Sequence, residues 1–227
     1  MQIREHALGS EHRDTVASRA ALGLLYEEIG DYPKAAAFLG QVLQTTEQTQ
    51  GFDSSATVSS INALASLYER MGELARAQPL VERAIQIYEK KLGPNHPDTA
   101  TAVGTLGNIH RKLGDYKKAA PLLDRALRIH EATLGADHPD TATSLFNGAE
   151  LYRDMGAYAR AEPLFLRALA IREKALGSDD KSIADSLDSL AALYDTMGKP
   201  AKAGPLRERA LKIREKAKSP ASAAGTQ

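Results

Sequence analysis

The sequence predicts an all-α protein built as a stack of two-helix units, and three observations carry that reading. First, a glycine returns every 42 residues, at Gly9, Gly51, Gly93, Gly135 and Gly177, and a second one runs in parallel at Gly30, Gly72, Gly114, Gly156 and Gly198. Second, the residues between successive glycines carry apolar side chains at the i, i+3, i+4, i+7 spacing of one helix face. Third, aromatics make up only 5% of the chain and Trp is absent, while Ala and Leu are plentiful, a composition of helix formers.

Each unit divides at its second glycine. In the second unit Ile61, Leu64, Ala65 and Tyr68 form one helix face, and after Gly72 a new series begins with Ala77, Leu80, Val81, Ala84, Ile85 and Tyr88. The glycines stand just past the helix ends, where a left-handed residue is commonly required. Asp53, Asn95, Asp137 and Asp179 recur in phase as candidate N-caps, with Asp98 and Asp140 placed to answer free amides. Pro79, Pro121, Pro163 and Pro205 lie in phase inside the second helix of each unit. Each removes one backbone hydrogen bond, and their recurrence predicts a tolerated bend rather than a boundary.

The segment Gln2–Gly9 is similar to Ala170–Gly177, the end of a second helix, so the chain opens in mid-unit. The expected organisation is an N-terminal cap helix over 1–9, five repeats over 10–51, 52–93, 94–135, 136–177 and 178–217, and a disordered tail or linker over 218–227. A piece of a longer array is the expected origin of such a start.

These residues resemble the tetratricopeptide repeat. Its first-helix pattern, large–x–x–Leu–small–x–x–Tyr, is similar to Ile61/Leu64/Ala65/Tyr68, Val103/Leu106/Gly107/His110 and Leu187/Leu190/Ala191/Tyr194. Its second-helix pattern is similar to Ala77/Val81/Ala84, Ala119/Leu123/Ala126 and Ala161/Phe165/Ala168. The usual period is about 34 residues. The longer unit, with Gly-x-x-His-Pro-Asp-Thr-Ala at Gly93–Ala100 and Gly135–Ala142, resembles the kinesin light chain type. The resemblance implies a right-handed α-solenoid of five two-helix repeats plus a partial N-terminal one. Four departures stand out: Arg19 and Arg207 at apolar positions of the terminal repeats, which suit a capping role, Gly148 at the signature Leu, and His110 at the signature Tyr.

Little in the chain points to chemistry. There is no Cys, hence no disulfide and no thiolate metal site. His96 and His138 recur in His-Pro-Asp-Thr, but equivalent loops in a helix stack lie about 10 Å apart. That is too far for one ion, since zinc needs three or four ligands at about 2 Å. No phosphate loop or nucleophile elbow is present. Neither an enzyme nor a cofactor is expected. Lys and Arg number 29 against 29 Asp and Glu, which argues against nucleic acid as a partner. No apolar run approaches the ~20 residues of a membrane span, and the charged start Met1–Glu5 lacks a signal-peptide core. The default location is cytoplasmic.

Two functional classes follow. The resemblance implies a protein-binding adaptor, with the first helices lining a concave groove that takes a peptide. The alternative is a structural spacer or self-assembling solenoid, or the regulatory arm of a larger enzyme or signalling ATPase. The groove positions expected to touch a peptide are Asn62, Ser66, Arg70, Gly104, Thr105, Asn108, Arg111, Lys112, Phe146, Asn147 and Arg153. Of these, Asn62 and Asn147 are what remains of the Asn pair common in the kinesin light chain type. Phe146 is expected to point outward as an apolar anchor beside Gly104. The basic residues are expected to favour an acidic neighbour in a ligand that carries an apolar side chain.

Overall fold

The computed structural model describes residues 2–177 and 180–218, and these form eleven α-helices with no strand. Two compact units contain them, one within Met1–Pro94 and one within Asn95–Gln227. The first holds α1 (Gln2–Leu8), α2 (Arg13–Glu28), α3 (Tyr32–Gln50), α4 (Ser55–Arg70) and α5 (Leu74–Leu92). The second holds α6 (Pro97–Lys112), α7 (Tyr116–Leu134), α8 (Pro139–Asp154), α9 (Tyr158–Leu176), α10 (Lys181–Thr196) and α11 (Pro200–Lys218). Within each unit, helices that follow one another in the chain pack side by side. The tail expected after Lys218 lies outside the described residues.

Both glycine series earn their places in backbone geometry. After α4, the Gly72 amide donates to the Glu69 carbonyl and the Glu73 amide to the Tyr68 carbonyl, which closes a Schellman motif. Gly72 itself sits at φ 74°. The other series takes a second conformation, φ 96° and ψ 161° at Gly93, in a region essentially reserved for glycine. A buried threonine ties down each such turn in the second and fourth repeats. The Thr57 hydroxyl donates to the Gly51 carbonyl at 2.7 Å and the Thr141 hydroxyl to the Gly135 carbonyl at 2.8 Å.

The N-caps fall one residue later than the sequence reading placed them. Ser54, His96, His138 and Asp180 cap α4, α6, α8 and α10, and Asp179 lies outside the described residues. For α6 and α8 the reason is the proline. Pro97 and Pro139 favour the first helical position, so the cap must be the histidine before them. His96 Nδ1 accepts from the Asp98 amide at 3.2 Å, and His138 Nδ1 from the Asp140 amide at 3.1 Å. The recurring histidines are thus helix caps.

Helices α5, α7, α9 and α11 run unbroken through Pro79, Pro121, Pro163 and Pro205. Each proline leaves the carbonyl four residues earlier without its helical donor. Those carbonyls belong to Ala75, Lys117, Ala159 and Ala201, all exposed, where water can replace the lost donor.

The core is the set of signature positions. Ile61, Leu64, Ala65 and Tyr68 are buried in α4, and Leu187, Leu190, Ala191 and Tyr194 in α10. Fully burying each large aliphatic side chain contributes about 2 kcal/mol. A cation lies over the signature tyrosine ring in four repeats: Lys34 on Tyr26, Arg76 on Tyr68, Arg160 on Tyr152 and Lys202 on Tyr194. The two terminal arginines differ. Arg207 is exposed and paired with Asp195. Arg19 does not face water as a cap would: it is buried, with Glu5 of α1 and the Ser10 carbonyl as partners.

Candidate functional site

In the second unit, α6 and α8 flank a small cleft of about 90 Å³. The walls are small and polar: Thr101, Gly104 and Thr105 on α6, Thr143 and Asn147 on α8, with His130 of α7 at the base. The floor is low because Gly104 has no side chain. A Cβ there would meet only Ala126, at 3.5 Å, so space does not demand glycine. Hydroxyls of Thr101, Thr105 and Thr143 donate to carbonyls one helical turn earlier, and Thr101 Oγ1 also lies 3.4 Å from His130 Nε2. The Asn147 amide has no hydrogen-bond partner among the described residues, in contrast to Asn62 of the first unit, which donates to the Tyr88 hydroxyl at 3.0 Å.

His130 was absent from the expected site, yet it holds the cleft together. Its ring is buried. Nε2 lies 3.2 Å from the Pro97 carbonyl and Nδ1 2.8 Å from the Ser144 hydroxyl. A carbonyl only accepts, so Nε2 carries the proton and Ser144 donates to Nδ1. One imidazole therefore ties α6 to α8. The sequence holds a signal for it. Thr46, Tyr88, His130 and Arg172 recur 42 residues apart, and Ser60, Ser144 and Ser186 recur in a matching series. Thr46 reaches Ser60 at 3.3 Å and Arg172 reaches Ser186 at 2.5 Å.

Two expectations need correction. Phe146 does not point outward as an anchor. Its ring packs edge-on against Phe165 with centroids 5.4 Å apart, and the Arg172 guanidinium stands 4.8 Å over it. The position faces the second helix of its own repeat, and an aromatic ring there has both core and cation to meet. Burial pushes the Arg172 guanidinium below its ordinary pKa, partly offset by Asp185 and Asp180.

Nor is the middle of this face basic. Arg111 pairs with Asp154 and stands 3.6 Å from Glu150. Arg153 grips Glu150 through two nitrogens at 2.7 and 2.8 Å and meets Asp154 at 3.0 Å. Two cations meet two carboxylates, so the group is neutral. Asn108 accepts from Arg111 Nε at 3.4 Å, and Lys112 is exposed. In the first unit, Arg70 pairs with Glu27 at 2.7 Å, and Ser66 is exposed. Of the expected residues, the cleft unites Gly104, Thr105 and Asn147. Asn108, Arg111 and Arg153 lie further along the helices. Asn62, Ser66 and Arg70 belong to the other unit.

Paired helices stacked by a fixed register, with small and polar residues along the first helices, define a helical-repeat protein. The tetratricopeptide repeat model matches residues 18–51, 55–132, 103–174 and 147–216, and the chain belongs to that family. Among solved structures, it is similar to the putative kinesin light chain repeats of Podospora anserina, with 27% identity and a TM-score of 0.68 over 92% of this chain and 99% of that one. It shares its fold with BtubC (BKLC) from P. vanneervenii at 24% identity and a TM-score of 0.71, over 100% of this chain and 87% of that one. A Rap protein complexed with competence and sporulation factor also shares the fold, at 18% identity and a TM-score of 0.73, over 86% of this chain and 52% of that one. A search of the curated proteins finds no match. Tetratricopeptide arrays are protein-interaction scaffolds and generally not enzymes. Among the described residues no group of three or more His, Asp or Glu is placed to hold a metal ion, and no helix is long and apolar enough to cross a membrane.

Proposed function

We propose that the chain is an adaptor that binds an extended peptide segment of a protein partner in the α6–α8 cleft. The observation that supports this reading most is Asn147, a side-chain amide without an intramolecular partner, standing over a floor of small residues. An asparagine amide offers two donors and an acceptor, which match the carbonyl and N–H of an extended strand. The hydroxyl oxygens of Thr105 and Thr143 supply further acceptors. The bare Gly104 leaves room for one small apolar side chain of the ligand. Because Arg111 and Arg153 are already paired, acidic ligand residues gain little here, and recognition rests on backbone contacts. A relative solved with a competence and sporulation factor bound adds weight to a partner-binding role for this fold.

The test is a peptide-display selection against the parent chain, repeated with Thr143→Arg. Thr143 is exposed near the start of α8, so a long side chain there blocks the cleft without disturbing the core. Peptides enriched by the parent should bind the variant at least 10-fold more weakly, a loss of about 1.4 kcal/mol. Equal binding by both would move the site elsewhere and favour a spacer role.

A further inference from the structure

The second unit also holds a larger pocket of about 440 Å³, open to solvent on one side and lined by α7, α8 and α9. It exists because Gly148 occupies the position that leucine fills in the other repeats. Leu64, Leu106 and Leu190 are buried there. At Gly148 the in-phase space stays open: a Cβ built on it would meet, beyond its own helix, only Leu164 Cδ1 at 3.7 Å. Phe146 does not refill the space, because its ring turns toward Phe165 and Arg172. The walls are Leu123, Leu145, Leu151 and Leu164, the first three almost fully buried. At the mouth the polar groups answer one another. Arg160 donates to the Tyr152 hydroxyl at 2.9 Å, and Asp124 pairs with Arg128 at 3.0 Å.

We infer that this cavity is a binding pocket for a compact, neutral, apolar small molecule, about the size of one or two fused rings. A deleted leucine accounts for roughly 150 Å³ of such a space, and apolar space of that size takes a benzene-sized guest. The volume here is larger and falls among small-molecule sites, which span about 300–1,000 Å³. Asp124 is paired with Arg128, and the Arg160 guanidinium is engaged by the Tyr152 hydroxyl and ring, so the leucine walls set the selection and favour an apolar body. The pocket shares only Ser144 with the lining of the α6–α8 cleft, and the leucine walls argued here belong to the pocket alone.

The probe is indole, neutral and compact. In methyl NMR spectra of the whole chain, titration should shift the Leu123, Leu145, Leu151 and Leu164 methyls saturably, with a Kd on the order of 0.1–1 mM. Gly148→Leu should weaken binding at least 10-fold by filling the space. Gly148→Ala, whose added carbon makes only an ordinary contact, should weaken it by a smaller factor and serves if the leucine variant fails to fold. Non-saturable shifts, shifts confined to exposed methyls such as those of Leu24 and Leu211, or undiminished binding by Gly148→Ala and Gly148→Leu would overturn the assignment.

Discussion

Tyr194 shows how much one side chain can report. Its hydroxyl donates to Glu162 Oε1 at 2.9 Å, and burial together with that bond pushes its pKa up from 10.0 to about 12. The same bond holds the Glu162 carboxyl below its usual range. The neutral phenol is the form the fold favours. The stability it adds is therefore complete below pH 10 and fades as pH climbs toward 12. Absorbance near 295 nm should show one tyrosine ionising well after the exposed ones, and Glu162→Gln should bring it back toward them. Phe146 offers a second residue-level check. Packed between Phe165 and Arg172, it should cost about 2 kcal/mol of stability when cut to alanine, read from urea unfolding. An outward anchor would cost almost nothing.

Among the elements, α8 is the one to watch. It carries a glycine in its interior, worth about 1 kcal/mol of helix stability relative to alanine, and that glycine borders an open cavity. In a repeat array the weakest element opens first. Amide exchange should therefore be faster in α8 than in α4, and Gly148→Leu should slow it and raise the melting temperature. Equal protection of the two helices would show that neighbours compensate. The elements were also the scale at which the sequence spoke most clearly. Gly72 and Gly93 mark helix ends by a backbone conformation that few other residues reach, so the boundaries were legible without any packing. Before α6 and α8 the sequence favours Asn95 and Asp137 as caps, because Asn and Asp rank above His. Pro97 and Pro139 carried the better information. The site was less legible for two reasons. Arg111 meets Asp154, 43 residues away in the chain, so its neutralisation depends on three-dimensional register. Arg153 and Glu150 sit at a spacing that favours pairing on a helix, and that signal was available. Phe146 occupies the border between core and surface, where periodicity alone does not fix a side chain's direction.

For the molecule as a whole, the ten glycines with positive φ among the described residues amount to a regular handedness code written into the chain. At Gly72 an added L-Cβ would touch nothing within 4 Å, so the barrier to other residues there is backbone geometry alone. The conformation at that point is the mirror image of the one an L-residue prefers. A residue of opposite chirality is thus the native choice by every local criterion, and ribosomal synthesis merely lacks it. Chemical ligation of a chain with D-alanine at position 72 should yield a protein more stable than the parent by roughly 0.4–1 kcal/mol, since the unfolded chain loses freedom and the folded one gains no strain. L-alanine at the same place should destabilise by about 1–2 kcal/mol. Thermal unfolding of this epimeric pair, identical in composition and differing at one stereocentre, would measure the energy of that turn directly. The repeat is in that sense a heterochiral design, approximated with an achiral residue.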